Sequence, residues 1–372
     1  LEPIQFNSDF RTIRNRQSQS RIGIARTFAL VVGFTLVSAA WMATAQSEER
    51  IDVWYGLTQS FGHLGGHPQR CINVLGNAAP ASNLESLAYQ LNGGPSHELS
   101  FREDQKRIAR DGDFNIELDR SLLLPGKNVL EINSVWSNNR SVRQRVSINY
   151  LARDLHWPLP YDIEWSRIKN LQDAVQVIDG NWQLTPQGIR PINRYYDRAV
   201  AFGDSSWRDY EVATTITVHA LTPPRTLPNT TNVTHAAIAL RWPGHDPDGN
   251  QPTVKWHPLG ATAEFRLEND LQDCRWRIFD GQRTYRREMK QNRVLQFEHP
   301  YSMKHRVSTL PGGEARYQVK LWPATDAEPA SWDLERVEDV EDVPVGSALL
   351  IAHHSDVSFG NIFVRPIPEL KQ

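Results

Sequence analysis

Cysteine is nearly absent from this chain of 372 residues: there are two, Cys71 and Cys274. Two cysteines exclude a disulfide framework, and two unrelated buried thiols is the plain reading of them. An excess of charge of one sign is also missing. Lysine and arginine total 41 against 43 aspartate and glutamate, a formal charge of −2, and no long basic run occurs beyond the N-terminal segment. That balance excludes nucleic acid as a bulk electrostatic partner. Long amphipathic helical patterns are lacking as well. Tryptophan, by contrast, is plentiful, with twelve residues. Some will be core, but a flat indole face also stacks on sugar rings.

The N-terminal segment differs from the rest. Arg11, Arg14, Arg16, Arg21 and Arg26 precede an uncharged stretch from Thr27 to Ser47, whose apolar heart is Phe28 to Val37. Ala43-Thr44-Ala45 fits a small-x-small cleavage signal. Residues 1–45 therefore read as a signal peptide cut after Ala45, with an uncleaved membrane anchor as the alternative. Either way this segment contacts membrane during export, and the remainder is expected to be secreted or held in the cell envelope.

From 51 to 150 short alternating runs are broken by turn residues. Leu87, Tyr89 and Leu91 share one face and stop at Asn92-Gly93-Gly94, a hairpin signal that "HELSF" would answer. Phe114, Ile116 and Leu118 share a face, as do Val142, Val146, Ile148 and Tyr150. About seven short strands at roughly ten-residue spacing predict an antiparallel sandwich. His63, His67 and Cys71 stand four apart, a helical metal-ligand spacing, but Gly65, Gly66 and Pro68 forbid a helix there. A loop between the first two strands, with Cys71 opening the second, is the better account than zinc.

Residues 151–160 form a proline-bearing connector, and strand patterns resume over 161–368. So long a stretch of strands without helices suits a two-sheet jelly roll. "VQVIDGNWQLTPQGIRP", "DSSWRDYEVATTITV" with Trp207 ahead of Asp209-Tyr210-Glu211, and the closing Val357, Phe359, Asn361, Ile362 and Val364 resemble the concanavalin A-like (laminin G-like) sandwiches of bacterial secreted proteins. "LAYQLNGGP", "GDFNIELD" and "LLPGKNVLEI" resemble immunoglobulin-like or fibronectin type III-like modules. The resemblances imply an all-β chain, an immunoglobulin-like sandwich over 51–150 followed by a concanavalin A-like jelly roll over 161–368. They do not choose among lectins, hydrolases, lyases and adhesion modules.

The chain lacks the Glu-x-Asp-x-x-Glu string that points paired acids into one cleft of laminarinase-type enzymes. Glu338, Asp339, Glu341 and Asp342 come as adjacent pairs and read as a solvated loop. Asp246, Asp248 and Asn250 stand in the alternation calcium accepts, with a polar turn as the plainer reading. His353 and His354 are neighbours on opposite faces of a strand and are not expected to share a metal; His354 and Asp356 share a face if the strand continues, an ordinary hydrogen-bonded pair rather than a catalytic one. Candidate ligand-binding residues are Arg241, Asp246, Asp248, Trp256, His257, Arg275 and Arg277, polar groups beside tryptophans. By strand phase, Ile238, Leu240, Cys274, Trp276 and Ile278 should be core, with Arg241, Arg275 and Arg277 facing an outer groove suited to an acidic glycan.

Three readings follow. The first is a secreted or surface-attached binding module for a glycan or a cell-surface protein. The second is a carbohydrate-active enzyme whose acids would be among Asp246, Asp248, Glu264 and Glu268. The third is an envelope protein of purely structural role. No cofactor is required by any of them, calcium being the one ion the spacing admits.

Overall fold

The computed structural model describes residues 48–64, 66–152, 157–221, 233–256, 258–281, 286–338 and 343–368. Residues 1–45, expected to direct export, and candidate His257 lie outside them, as do Asp339, Glu341 and Asp342. Residues from Ser47 onward make one compact unit. It is all-β, with helix among the described residues only as short 3₁₀ turns such as Trp165–Arg167. No helix among them is long and apolar enough to cross a membrane.

Strands up to Tyr150 make a three-stranded and a five-stranded sheet. The runs expected from alternation are there: Cys71–Ala79, Leu84–Leu91, Asp113–Asp119, Gly126–Trp136 and Ser141–Tyr150. Phe114, Ile116, Leu118, Val146 and Ile148 share one buried cluster, as their common phase requires. The hairpin also forms. Asn92 and Gly93 take φ of 52° and 72°, the left-handed pair that tight hairpin turns demand, and Tyr89 pairs with His97. Thr58–Phe61 is an additional strand, parallel to Ser141–Tyr150, whose polar "TQSF" carries no alternating signal. Among the described residues of 62–70 there is no helix, Cys71 opens the following strand, and Cys71 and Cys274 are both free thiols.

The remaining strands form a seven-stranded and a nine-stranded sheet. Their facing sides enclose one large core that includes Ile238, Leu240, Cys274, Trp276 and Ile278, as the phase argument expects. The strand Pro300–Thr309 lies inside the nine-stranded sheet yet is hard to see in the sequence. Its inward phase, Tyr301, Met303, His305 and Val307, contains a histidine, so the apolar alternation is broken. His305 is fully buried, with Nδ1 donating to the Ile238 carbonyl of the opposite sheet at 2.9 Å.

Burial holds the His305 imidazole neutral, its pKa lowered to about 3 against the pull of that hydrogen bond. Unfolded, the ring titrates near 6.5. Between those values the unfolded chain takes up a proton that the folded chain refuses. The contribution is therefore complete above about pH 6.5 and is lost as pH falls toward 3. Going from pH 7 to pH 5 should cost about 2 kcal/mol through this residue. His305→Gln, which keeps a donor for Ile238, should show a correspondingly shallower loss of stability in urea unfolding at the two pH values. Equal losses in both proteins would remove His305 from the account.

Candidate functional site

In the seven-stranded sheet, the strands Arg198–Phe202, Ser347–His353, His235–Trp242, Ala261–Arg266 and Arg275–Asp280 lie side by side. Their register builds the outer face row by row. Ala199 pairs with Ile351, Ile351 with Ala237, Ala237 with Glu264, and Glu264 with Arg277. One row further along, His353 pairs with His235. Trp242, Leu259, Leu349 and Ile351 pack with the alanines of this face in one buried cluster.

The small side chains Ala199, Ala201, Ala237 and Ala239 keep the sheet surface low here, which leaves room above it.

That room is a cavity of about 330 Å³. Its lining includes His235, Glu264, His353, Asp197, Tyr196 and Trp256 from the second sandwich, with Lys106 and Arg107 reaching in from the first. The segment after Trp242 folds back between the two sandwiches. Arg107 donates to the Thr253 carbonyl, Glu117 accepts from the Thr253 amide at 2.9 Å, and Gln251 reaches Tyr89 at 3.2 Å.

Several charged groups of the cavity are paired. His353 Nδ1 lies 2.7 Å from Asp197 Oδ1. The His235 and His353 rings stack with centroids 4.4 Å apart and planes 6° from parallel. His235 Nδ1 is 3.8 Å from Glu264 Oε2, and Arg277 Nε donates to the same oxygen at 2.9 Å. Burial raises the Glu264 pKa, opposed by Arg277. Arg107 bridges Glu117 and Asp179. Burial pushes Asp179 up to about 6, while Arg107 and His245 overcome the burial of Glu117 and bring it down to about 2. Asp197, His235 and His353 bring one ligand atom each to within 4.8 Å of one another.

The residues singled out from the sequence fare unequally. Trp256 lines the cavity. Trp276 is fully buried, as expected, and Arg275 and Arg277 lie in the opposite phase of its strand, but Arg277 is itself buried and held by Glu264, Arg275 is held by Glu268, and neither lines the cavity. Arg241 is a correction: it does not face a groove but is fully buried. The strand register slips between Ala239 and Trp242, and Arg241 takes φ of 52° at this bulge. Its guanidinium then bonds the Arg208 carbonyl at 3.0 Å, Asp209 at 3.2 Å and Thr309 at 2.8 Å. The same slip moves Trp242 from the phase of Ile238 and Leu240 to the outer cluster.

Asp246 pairs with Lys255, and Asp248 accepts from the backbone amides of Asn250, Val254 and Lys255. These carboxylates hold a turn, the plainer of the two readings of their spacing. The strand that would put His354 and Asp356 on one face does not continue: His354 takes φ of 50° between Ser347–His353 and Ser355–Phe359, and Asp356 is held by Arg190 at 2.6 and 2.7 Å. The partner of His353 is His235 across the sheet, which adjacency in sequence does not reveal. Asp197, His235, Tyr196 and Arg107 carried no motif.

A second arrangement has the order of a catalytic triad. His219 Nε2 is 2.7 Å from Ser358 Oγ, and its Nδ1 is 2.8 Å from Glu298. Ser358 is only 1% exposed, so its hydroxyl has no open approach among the described residues.

No family model matches the chain, and no curated sequence does. Solved structures do show likeness. The exoplasmic/lumenal domain of VIP36 in its Ca2+-bound form is 12% identical, with 52% of this chain and 84% of that one covered and a TM-score of 0.34. The alginate lyase Aly36B with an alginate trisaccharide gives 10%, 57%, 100% and 0.35. A bifunctional GH43-CE protein of Bacteroides eggerthii gives 8%, 82%, 54% and 0.38. At such identities and TM-scores the likeness says nothing of what this chain binds.

Proposed function

We propose that this is a carbohydrate-binding protein of the cell exterior or envelope, exported by residues 1–45, whose second sandwich receives a sugar unit in the cavity on its seven-stranded sheet. The first sandwich, of immunoglobulin-like type, supplies Lys106 and Arg107 to the wall. The observation that carries the reading is the cavity itself: a bounded space of about 330 Å³ with Trp256 and Tyr196 beside Asp197, Glu264 and Lys255. An aromatic face against sugar C–H groups and charged side chains for the hydroxyls is the chemistry a sugar needs. Arg107 is held by Glu117 and Asp179, Lys255 by Asp246, and the outer arginines Arg275 and Arg277 by Glu268 and Glu264. A neutral glycan therefore fits better than an acidic one.

Screening the exported chain, which should begin at Gln46, against neutral and acidic oligosaccharides tests this. Binding of a neutral glycan, weakened more than tenfold by Trp256→Ala with the circular dichroism unchanged, is expected. A blank screen, or equal affinity in the variant, would overturn it. A second reading as an enzyme rests on Glu264, the one of its four candidate acids that lines the cavity. Release of new reducing ends from a bound glycan would establish it, and a glycan recovered intact would exclude it.

A further inference from the structure

We propose that Asp197, His235 and His353 form a binding site for a divalent transition-metal ion, with zinc as the type. The site is argued from the ligands alone and stands whether or not the cavity binds sugar.

The three residues sit on three neighbouring strands of one sheet. Asp197 immediately precedes Arg198–Phe202, His353 ends Ser347–His353, and His235 begins His235–Trp242. Backbone pairing fixes the Cα positions, His353 directly opposite His235, so only side-chain tips need to move. Their ligand atoms already lie within 4.8 Å of one another. A tetrahedral zinc site with bonds of about 2.0–2.1 Å sets ligand atoms about 3.3 Å apart, so the two imidazoles, stacked with planes 6° from parallel, must turn out of the stack about their side-chain torsions to aim both in-plane lone pairs at one ion.

Ligand chemistry selects the ion. Two imidazoles and a carboxylate suit zinc and its first-row neighbours, whereas calcium and magnesium prefer oxygen throughout. His353 Nδ1 and Asp197 Oδ1, 2.7 Å apart, share a proton that the ion would displace. Glu264 Oε2 lies 3.8 Å from His235 Nδ1, beyond hydrogen-bond distance, and the turn of the ring that brings His235 to the ion can close this gap to the carboxylate–imidazole contact that orients a ligand. Three protein ligands leave a coordination position, and all three residues line the cavity, so water or a ligand oxygen can take that position.

The competing thiol-containing trio, His63, His67 and Cys71, makes the test specific. The full chain, stripped with chelator, is titrated with Zn2+ by calorimetry and with Co2+ by absorption. Saturable uptake of a single equivalent is expected, with cobalt d–d bands and no thiolate charge-transfer band. His235→Ala and His353→Ala should each weaken zinc binding more than tenfold, while His63→Ala leaves it unchanged. Should the ligand variants fail to fold, the cobalt spectrum of the unmodified chain decides between the sites. Absence of saturable binding, a thiolate band, or unaltered affinity in folded ligand variants would overturn the assignment.

Discussion

Arg107→Ala should destabilise the chain by about 3–5 kcal/mol at pH 7, the cost of leaving buried charges without their partner. Arg107 is 6% exposed and joins Glu117 of the first sandwich to Asp179 of the second. It also donates to the Ile178 carbonyl at 3.3 Å. Without it, Asp179 keeps the more distant Arg198 at 3.8 Å and Glu117 keeps His245 at 3.5 Å, an imidazole that burial holds neutral at pH 7, so protonation of both carboxylates is favoured. The pH dependence identifies the cause. Asp179, raised by burial to about 6 even beside Arg107, is a group whose folded pKa exceeds the unfolded 3.8. Its contribution is complete below about pH 3.8 and is lost as pH rises through 6. Removing Arg107 raises both acids further, so the deficit should be larger at pH 7 than at pH 5. Adding Glu117→Gln and Asp179→Asn to the variant should recover part of it. Denaturant unfolding at the two pH values measures this, and a deficit that grows on acidification would reject the mechanism.

Trp242→Ala should cost a similar 3–5 kcal/mol, for a different reason: it empties a fully buried site. Trp242 packs against Trp256 with ring centroids 5.8 Å apart and against His245 at 5.6 Å. Its loss therefore also removes the wall behind Trp256, and sugar affinity should fall with stability. Trp242→Phe should cost only about 1–2 kcal/mol, because the indole N–H has no hydrogen-bond partner among the described residues and only part of the ring volume is lost. Thermal melts of the two variants check the contrast; equal losses would mean that the N–H, not the volume, matters.

Much of the fold was legible in the sequence. Side chains alternate along a strand, so runs such as Phe114, Ile116, Leu118 and Cys274, Trp276, Ile278 declared both the strand and its buried face. Asn92-Gly93 declared its turn because few residues accept two successive left-handed conformations. The signal failed where a core position is polar, as at His305, and where a bulge shifts the phase, as at Arg241. Neither leaves a mark in the local pattern, since each is stabilised by groups far along the chain: the Ile238 carbonyl in one case, Asp209 and Thr309 in the other.

By itself, then, the sequence determined an all-β chain, the strands with apolar alternation and the inner face of the second sandwich. Those properties depend on near neighbours. Tertiary structure alone decided the site. His235 and His353 meet because two strands distant in sequence pair in one register, and a slip of one residue would turn one ring into the core. Asp197 joins them because its strand is next in the sheet, and Arg107 arrives from the other sandwich through buried charge pairing. Register and long-range ion pairing are properties of the folded chain, set by the total free energy of many contacts rather than by any local run of residues.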